Sequence, residues 1–156
     1  MKAIVLSVIL CWIVYMPVMS DGKVQVGADR LEEWLADLDG WRVALAVNQT
    51  SLLSASSVHL VDTLLARGIN VVALFAPEHG LRGTADAGEI LSDSRDARTG
   101  LPIYSLYGMN KKPSDRQLKD IDVLIFDIQD VGARFYTYIS TMYYPVSYTH
   151  LTLPTT

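Results

Sequence analysis

Cysteine is almost missing from this chain: its 156 residues hold one, Cys11, inside an apolar N-terminal run. Everything beyond that run therefore has no disulfide framework, no cysteine metal site and no thiol nucleophile. Basic clusters are missing too. Thirteen Lys and Arg face seventeen Asp and Glu for a formal net charge of -4, and no Lys/Arg-rich stretch stands out, which points away from nucleic acid as a partner. The chain also lacks GxGxxG, the P-loop, GxSxG and HExxH. Nucleotide-dependent and serine-hydrolase chemistries lose support, as does a zinc site carried on one helix. No apolar run is long enough for a confident membrane span.

The first twenty residues read as a signal peptide. Lys2 supplies the positive n-region, Ala3 to Tyr15 the apolar h-region, and Pro17 with Val18-Met19-Ser20 the approach to a cut. Cys11 follows Leu10 rather than a small residue, which argues against lipidation. The expectation is an exported protein, periplasmic or extracellular, with no stable membrane span after cleavage. At the other end the last charged residue is Arg134, and Pro145 to Thr156 is uncharged and Thr-rich. Residues 145–156 read as a non-native tail, foreign sequence joined to a gene cut short, and His150 receives no role. A domain is expected over residues 21–144.

Within it, Leu31, Trp34, Leu35 and Leu38 form one helix face, closed by Gly40. Trp41 to Val47 is a short apolar run with β-branched residues, a buried strand. Val58, Val61, Leu64 and Leu65 make a second helical stripe, ended by Arg67 and Gly68. Asn70 to Ala76 is a second strand, stopped by Pro77; Leu101 to Tyr107 is a third, weaker one. Ser114 and Gln117 have capping-box spacing, and Ile121 to Phe126 is the strongest strand signal. A long polar loop separates the second strand from the third. Apolar strands alternating with amphipathic helices predict an α/β fold, a mostly parallel sheet with helices on both faces. Such sheets bind ligands beyond the carboxyl ends of their strands.

Three of those ends carry polar clusters: Asn48-Gln49-Thr50, Glu78-His79-Gly80 and Asp127 to Asp130. Glu78 follows the rigid Pro77 and can serve as a general acid, or cap the next segment, or pair with Arg82. His79, on an extended segment, points away from Glu78 and can shuttle protons, bind substrate or fill a core position. Asp86, Glu89, Asp127 and Asp130 could add oxygens to a metal site around His79, yet no ligand spacing supports one, and no metal or cofactor is expected. Asp127 and Asp130 could converge, with Gln129 offering its amide to a hydroxyl or acetamido group; turn chemistry is the bland alternative. Arg134 can fork onto a carboxylate or pair with its own aspartates. Phe135, Tyr136 and Tyr138 can stack on a sugar or line a core.

Five segments in order resemble the NamZ-type exo-β-N-acetylmuramidases, peptidoglycan-recycling glycosidases. They are Val47-Asn48-Gln49-Thr50; Leu74 to Gly83, reading LFAPEHGLRG; Asp86-Ala87-Gly88-Glu89; Thr99 to Gly108, reading TGLPIYSLYG; and Phe126 to Met142, opening FDIQDVGARFYTY. The resemblance implies a Rossmann-like N-terminal domain followed by a smaller one, with the cleft between them. It implies release of terminal β-1,4-linked N-acetylmuramic acid from the non-reducing ends of peptidoglycan fragments, without a cofactor. Glu78 becomes the leading catalytic acid with His79 beside it. Asn48, Gln49, Arg82, Glu89, Asp127, Gln129, Asp130, Arg134 and Tyr136 become substrate-binding residues, Arg82 or Arg134 meeting the lactyl carboxylate. The partners implied are muropeptides or disaccharides. The chain stops where the rest of the domain should follow, so the fragment alone is expected to be inactive. A non-catalytic sugar-binding module and a metal-dependent hydrolase are the rival readings.

Overall fold

The computed structural model describes residues 25–83, 92–109, 111–133 and 137–146. The leader at 1–20, Asp86, Glu89, Arg134, Phe135, Tyr136 and the tail beyond 146 lie outside the described residues. Five strands form one sheet: β1 (Val43–Val47), β2 (Val71–Ala76), β3 (Ser94–Arg95), β4 (Pro102–Ser105) and β5 (Val123–Asp127), in the order β3-β4-β2-β1-β5. β1 pairs in parallel with both β2 and β5, and β2 with β4; only β3 runs antiparallel, against β4. The parallel strands thus grow outward from β1 in both directions. This is the doubly wound pattern, whose ligand crevice opens where the winding reverses, here between β1 and β5.

The expected α/β sheet is present, and its two faces are legible in the strand sequences. Val43, Leu45 and Val47 alternate with Ala44 and Ala46, so β1 sends its branched residues to one side and only methyl groups to the other. The branched side packs on Leu60, Val61 and Leu64 of α2 (Leu60–Ala66) and on Leu31 of α1 (Leu31–Trp34). On the alanine side Phe75 fills the space, in tilted contact with Tyr104 at 5.5 Å between ring centroids, backed by Leu106 and, from α3 (Asp115–Leu118), Leu118. At the amino ends, Arg42 forks onto Asp122 at 2.7 and 2.9 Å and fixes the register of β1 against β5.

Several expectations meet a different structure. The first helical stripe is one α turn between two 3-10 turns, Gly27–Arg30 and Leu35–Leu38, because Leu31, Leu35 and Leu38 meet the sheet as well from a tighter spiral as from an α-helix. The polar loop before β4 contains β3, too short for an alternating pattern. A fourth helix, α4 (Tyr138–Val146), which the sequence reading does not include, carries Pro145 inside it. β5, the strongest strand signal, is half-buried along its whole length, since among the described residues it is an edge strand. The Ser114–Gln117 capping box forms as the spacing predicts.

Candidate active site

Asn48 leaves β1 fully buried and is held from three sides. Its side-chain oxygen accepts from Thr50 N–H at 2.9 Å and from Thr50 Oγ1 at 2.6 Å. Its carbonyl accepts from His59 Nε2 at 2.9 Å, while His59 Nδ1 accepts from Val61 N–H and caps α2. A carbonyl can only accept and an N–H only donate, so these partners fix a neutral imidazole with its proton on Nε2. Burial pushes the His59 pKa down, in agreement with that neutral form.

The neighbouring strand end is stitched to this one. Ser51 Oγ donates to the Asp127 carbonyl, and Gln129 N–H donates to Thr50 Oγ1 at 3.1 Å. Asp127 is paired with Val47 in the β1–β5 ladder, so its carboxyl belongs to the last rung before the crevice. Burial, followed by the nearby Asp29 charge, raises its pKa above the ordinary aspartate value. Among the described residues two buried polar atoms find no hydrogen-bond partner, Asn48 Nδ2 and Asp127 Oδ2. One is a donor and the other an acceptor, and both belong to the strand ends that flank the switch point. Leaving a buried polar atom unmatched costs about 1–3 kcal/mol, so this pair is held at the expense of stability.

Beyond β2 the chain turns sharply. Gly80 N–H donates to the Pro77 carbonyl at 3.1 Å, closing a turn with Glu78 and His79 at its centre. His79 takes a left-handed φ of 69°, where a turn ordinarily places glycine. His79 is therefore not on an extended segment, and the turn rather than strand alternation sets its direction. Glu78 is half-buried, and its carboxyl is near enough to the Tyr107 phenol to raise the phenol's pKa. Gly83 follows at φ 67°; a Cβ there would stand 3.0 Å from Gln49 Cβ, so the second cluster lies directly against the first.

Arg82 is engaged by two aspartates. Its guanidinium grips Asp96 through Nε at 3.1 Å and Nη2 at 2.9 Å, and reaches both oxygens of Asp62 at 3.3 Å. Arg98 also meets Asp62 at 2.9 Å. Hydrogen bonding to Arg82 holds the Asp96 carboxyl down at about 2. Asp130 accepts from Gly132 N–H at 2.7 Å, the turn chemistry of a short acidic side chain. Sequence reasoning thus places Asn48, Gln49, Thr50, Asp127 and Gln129 together, and Glu78 at the adjacent strand end. It misses His59, Ser51 and Tyr107, whose contacts depend on strand order. Among the described residues no three His, Cys, Asp or Glu side chains are grouped to hold a metal ion, and no helix is long and apolar enough to cross a membrane.

Comparison with known proteins places these features in a family. Over 124 residues the chain is 48% identical to the peptidoglycan β-N-acetylmuramidase NamZ of Bacillus subtilis, covering 78% of this chain and 30% of that one. Two crystal structures of DUF1343 family proteins from Bacteroides fragilis superpose with TM-scores of 0.70 and 0.64, at 43% and 42% identity. They cover 80% and 77% of this chain, and it covers 31% and 30% of theirs. The chain therefore spans about a third of the length of the relatives it matches. The model of the N-terminal part of exo-β-N-acetylmuramidase NamZ matches residues 43–150, and the chain belongs to that family.

Proposed function

We propose that this chain is the front part of an exported exo-acting glycosidase that removes terminal β-1,4-linked N-acetylmuramic acid from the non-reducing ends of peptidoglycan fragments. The observation that carries this reading is the unmatched pair at the switch point. A secondary amide offers one carbonyl to accept from Asn48 Nδ2 and one N–H to donate to Asp127 Oδ2, which is the polarity of a 2-acetamido sugar. The leader-like residues 1–20 support export, and Arg134 is the best-suited partner for the lactyl carboxylate, because Arg82 already carries two aspartates.

Glu78 is the general acid in this reading. It gives its proton to the glycosidic oxygen as the C1–O bond breaks, and water completes the sugar product at C1. β1 separates the strands that deliver Glu78 and Asp127, so their backbones stand about 10 Å apart, a span that accommodates a pyranose ring between two carboxyl groups. Gln49, Gln129, Glu89, Asp130 and Tyr136 complete the proposed wall, with His79 beside the acid. The 156-residue chain alone is inactive in this proposal.

The test joins these residues to the remaining length of the Bacillus subtilis relative and follows release of N-acetylmuramic acid from an N-acetylmuramyl-N-acetylglucosamine disaccharide. The joined protein turns over, the chain alone does not, and Glu78→Gln lowers turnover at least about a hundredfold. Binding without cleavage by the joined protein would favour a sugar-binding module, and loss of turnover on chelation a metal-dependent hydrolase.

A further inference from the structure

The backbone and the side chain of Asn48 are held by different partners. Its N–H donates to Ser51 Oγ at 3.2 Å, and its carbonyl accepts from Ser51 N–H at 3.1 Å and from His59 Nε2 at 2.9 Å. Those bonds place the backbone. They do not settle which end of the side-chain amide points where, because an amide turned over about its last torsion fills the same space. Thr50 settles it twice. Its N–H can only donate, and it meets the Asn48 side-chain oxygen at 2.9 Å; a turned amide would set two donors face to face. Its hydroxyl accepts from Gln129 N–H at 3.1 Å and gives its one proton to the same Asn48 oxygen at 2.6 Å. Gln129 N–H, the Thr50 hydroxyl and the Asn48 amide thus run head to tail from one strand end to the next, each bond polarising the following one. The run ends on Asn48 Nδ2, a buried donor without a partner among the described residues.

We infer that Thr50 is the positioning residue of Asn48: it turns the amide so that the strand end presents an N–H donor and calls for a ligand atom that accepts, such as the carbonyl oxygen of an acetamido group. A turned amide would present an oxygen at the same place and would favour an ammonium group instead. The choice of the acetamido carbonyl rests on the muramidase reading. The orientation of the amide does not, and the two can fail separately.

The experiment uses the isotope-labelled 156-residue chain. In the parent, a scalar coupling carried through the hydrogen bond joins the Thr50 amide nitrogen to the side-chain carbonyl carbon of Asn48. It survives in Thr50→Ser and falls at least about twofold in Thr50→Val, which keeps the shape of the residue and loses its hydroxyl. Should Thr50→Val fail to fold, Thr50→Ala takes its place. No coupling in the parent, or a coupling that loss of the hydroxyl leaves unchanged, overturns the inference. In the joined protein, Thr50→Val weakens binding of N-acetylmuramic acid about tenfold and binding of muramic acid, which lacks the acetyl group, by less than about twofold. Thr50→Ser restores the difference. Equal losses for the two sugars would leave Thr50 a structural part only and overturn the inference. An oriented amide in a joined protein that binds N-acetylmuramic acid without cleaving the disaccharide keeps the inference and removes the muramidase reading.

Discussion

At the scale of single residues, the site is marked by groups placed where they cost stability. Asn48 Nδ2 and Asp127 Oδ2 are buried without partners among the described residues, and His79 takes a backbone conformation that suits glycine. Asp127 offers the clearest test. Its pKa is raised by burial, so the folded state holds the proton more tightly than the unfolded chain does. That contribution to stability is present below the ordinary aspartate value and is lost as pH rises through the elevated one. Above that elevated pKa the folded protein bears a desolvated carboxylate. Asp127→Asn removes the charge and keeps the shape. The variant is expected to be more stable than the parent in urea at pH 7, with the advantage shrinking as pH falls through the elevated pKa and gone below the ordinary aspartate value, and to bind N-acetylmuramic acid less well. Equal urea midpoints for both proteins at pH 7 would mean that Asp127 bears no desolvation cost.

At the scale of elements, the loop that carries Glu78 is moored by charge. Arg82 ties the segment after β2 to Asp62 on α2 and to Asp96 in the turn after β3, where Asp96 also accepts from Thr99 N–H at 3.2 Å and Thr99 Oγ1 at 2.7 Å. Asp96 is 5% exposed, and Arg82 hydrogen bonds hold its carboxyl at about 2. The sign is opposite to that of Asp127: the stabilisation is present above the ordinary aspartate value and is lost as pH falls through about 2. Asp96→Ala is expected to cost about 2–3 kcal/mol at pH 7, read from urea unfolding, with the deficit narrowing toward pH 2. A loss below about 0.5 kcal/mol would reduce the network to a surface ion pair. None of this mooring is legible in the sequence, because residues 62, 82 and 96 meet only through the fold. Local signals read well where the cause is local: the apolar runs locate four of the five strands, and the caps locate α2 and α3. β3 has two residues and no periodicity. α4 has a Pro in its last turns and no charged end to announce it. Tyr107 lies inside an expected strand, and its nearness to Glu78 requires knowing that β4 lies beside β2.

At the scale of the whole molecule, the sheet is covered unequally, and this places its stability on one side. The branched face of β1 packs on α1 and α2, and Val43, Leu45 and Val47 are wholly enclosed. The other face has alanines on β1, a four-residue helix above it, and only half-buried side chains on β5. Leu45 and Leu124 sit one rung apart in the β1–β5 ladder, Leu124 opposite Ala44 and Leu45 opposite Ile125, on opposite faces. Each loses the same atoms on truncation to Ala, so the difference in cost measures the packing of the two faces. Leu45→Ala removes a fully enclosed side chain and is expected to cost about 3–4 kcal/mol, a large share of what a domain of this size has to lose. Leu124→Ala is expected to cost about 1–2 kcal/mol. Urea midpoints at constant slope decide the matter. Equal losses at the two positions would mean that the second face is packed as tightly as the first. Unequal losses would place the folding energy on the side of α1 and α2, whose loops also supply His59 and Ser51 to the crevice, so that the best-packed layer of the molecule is the one that holds Asn48 in place.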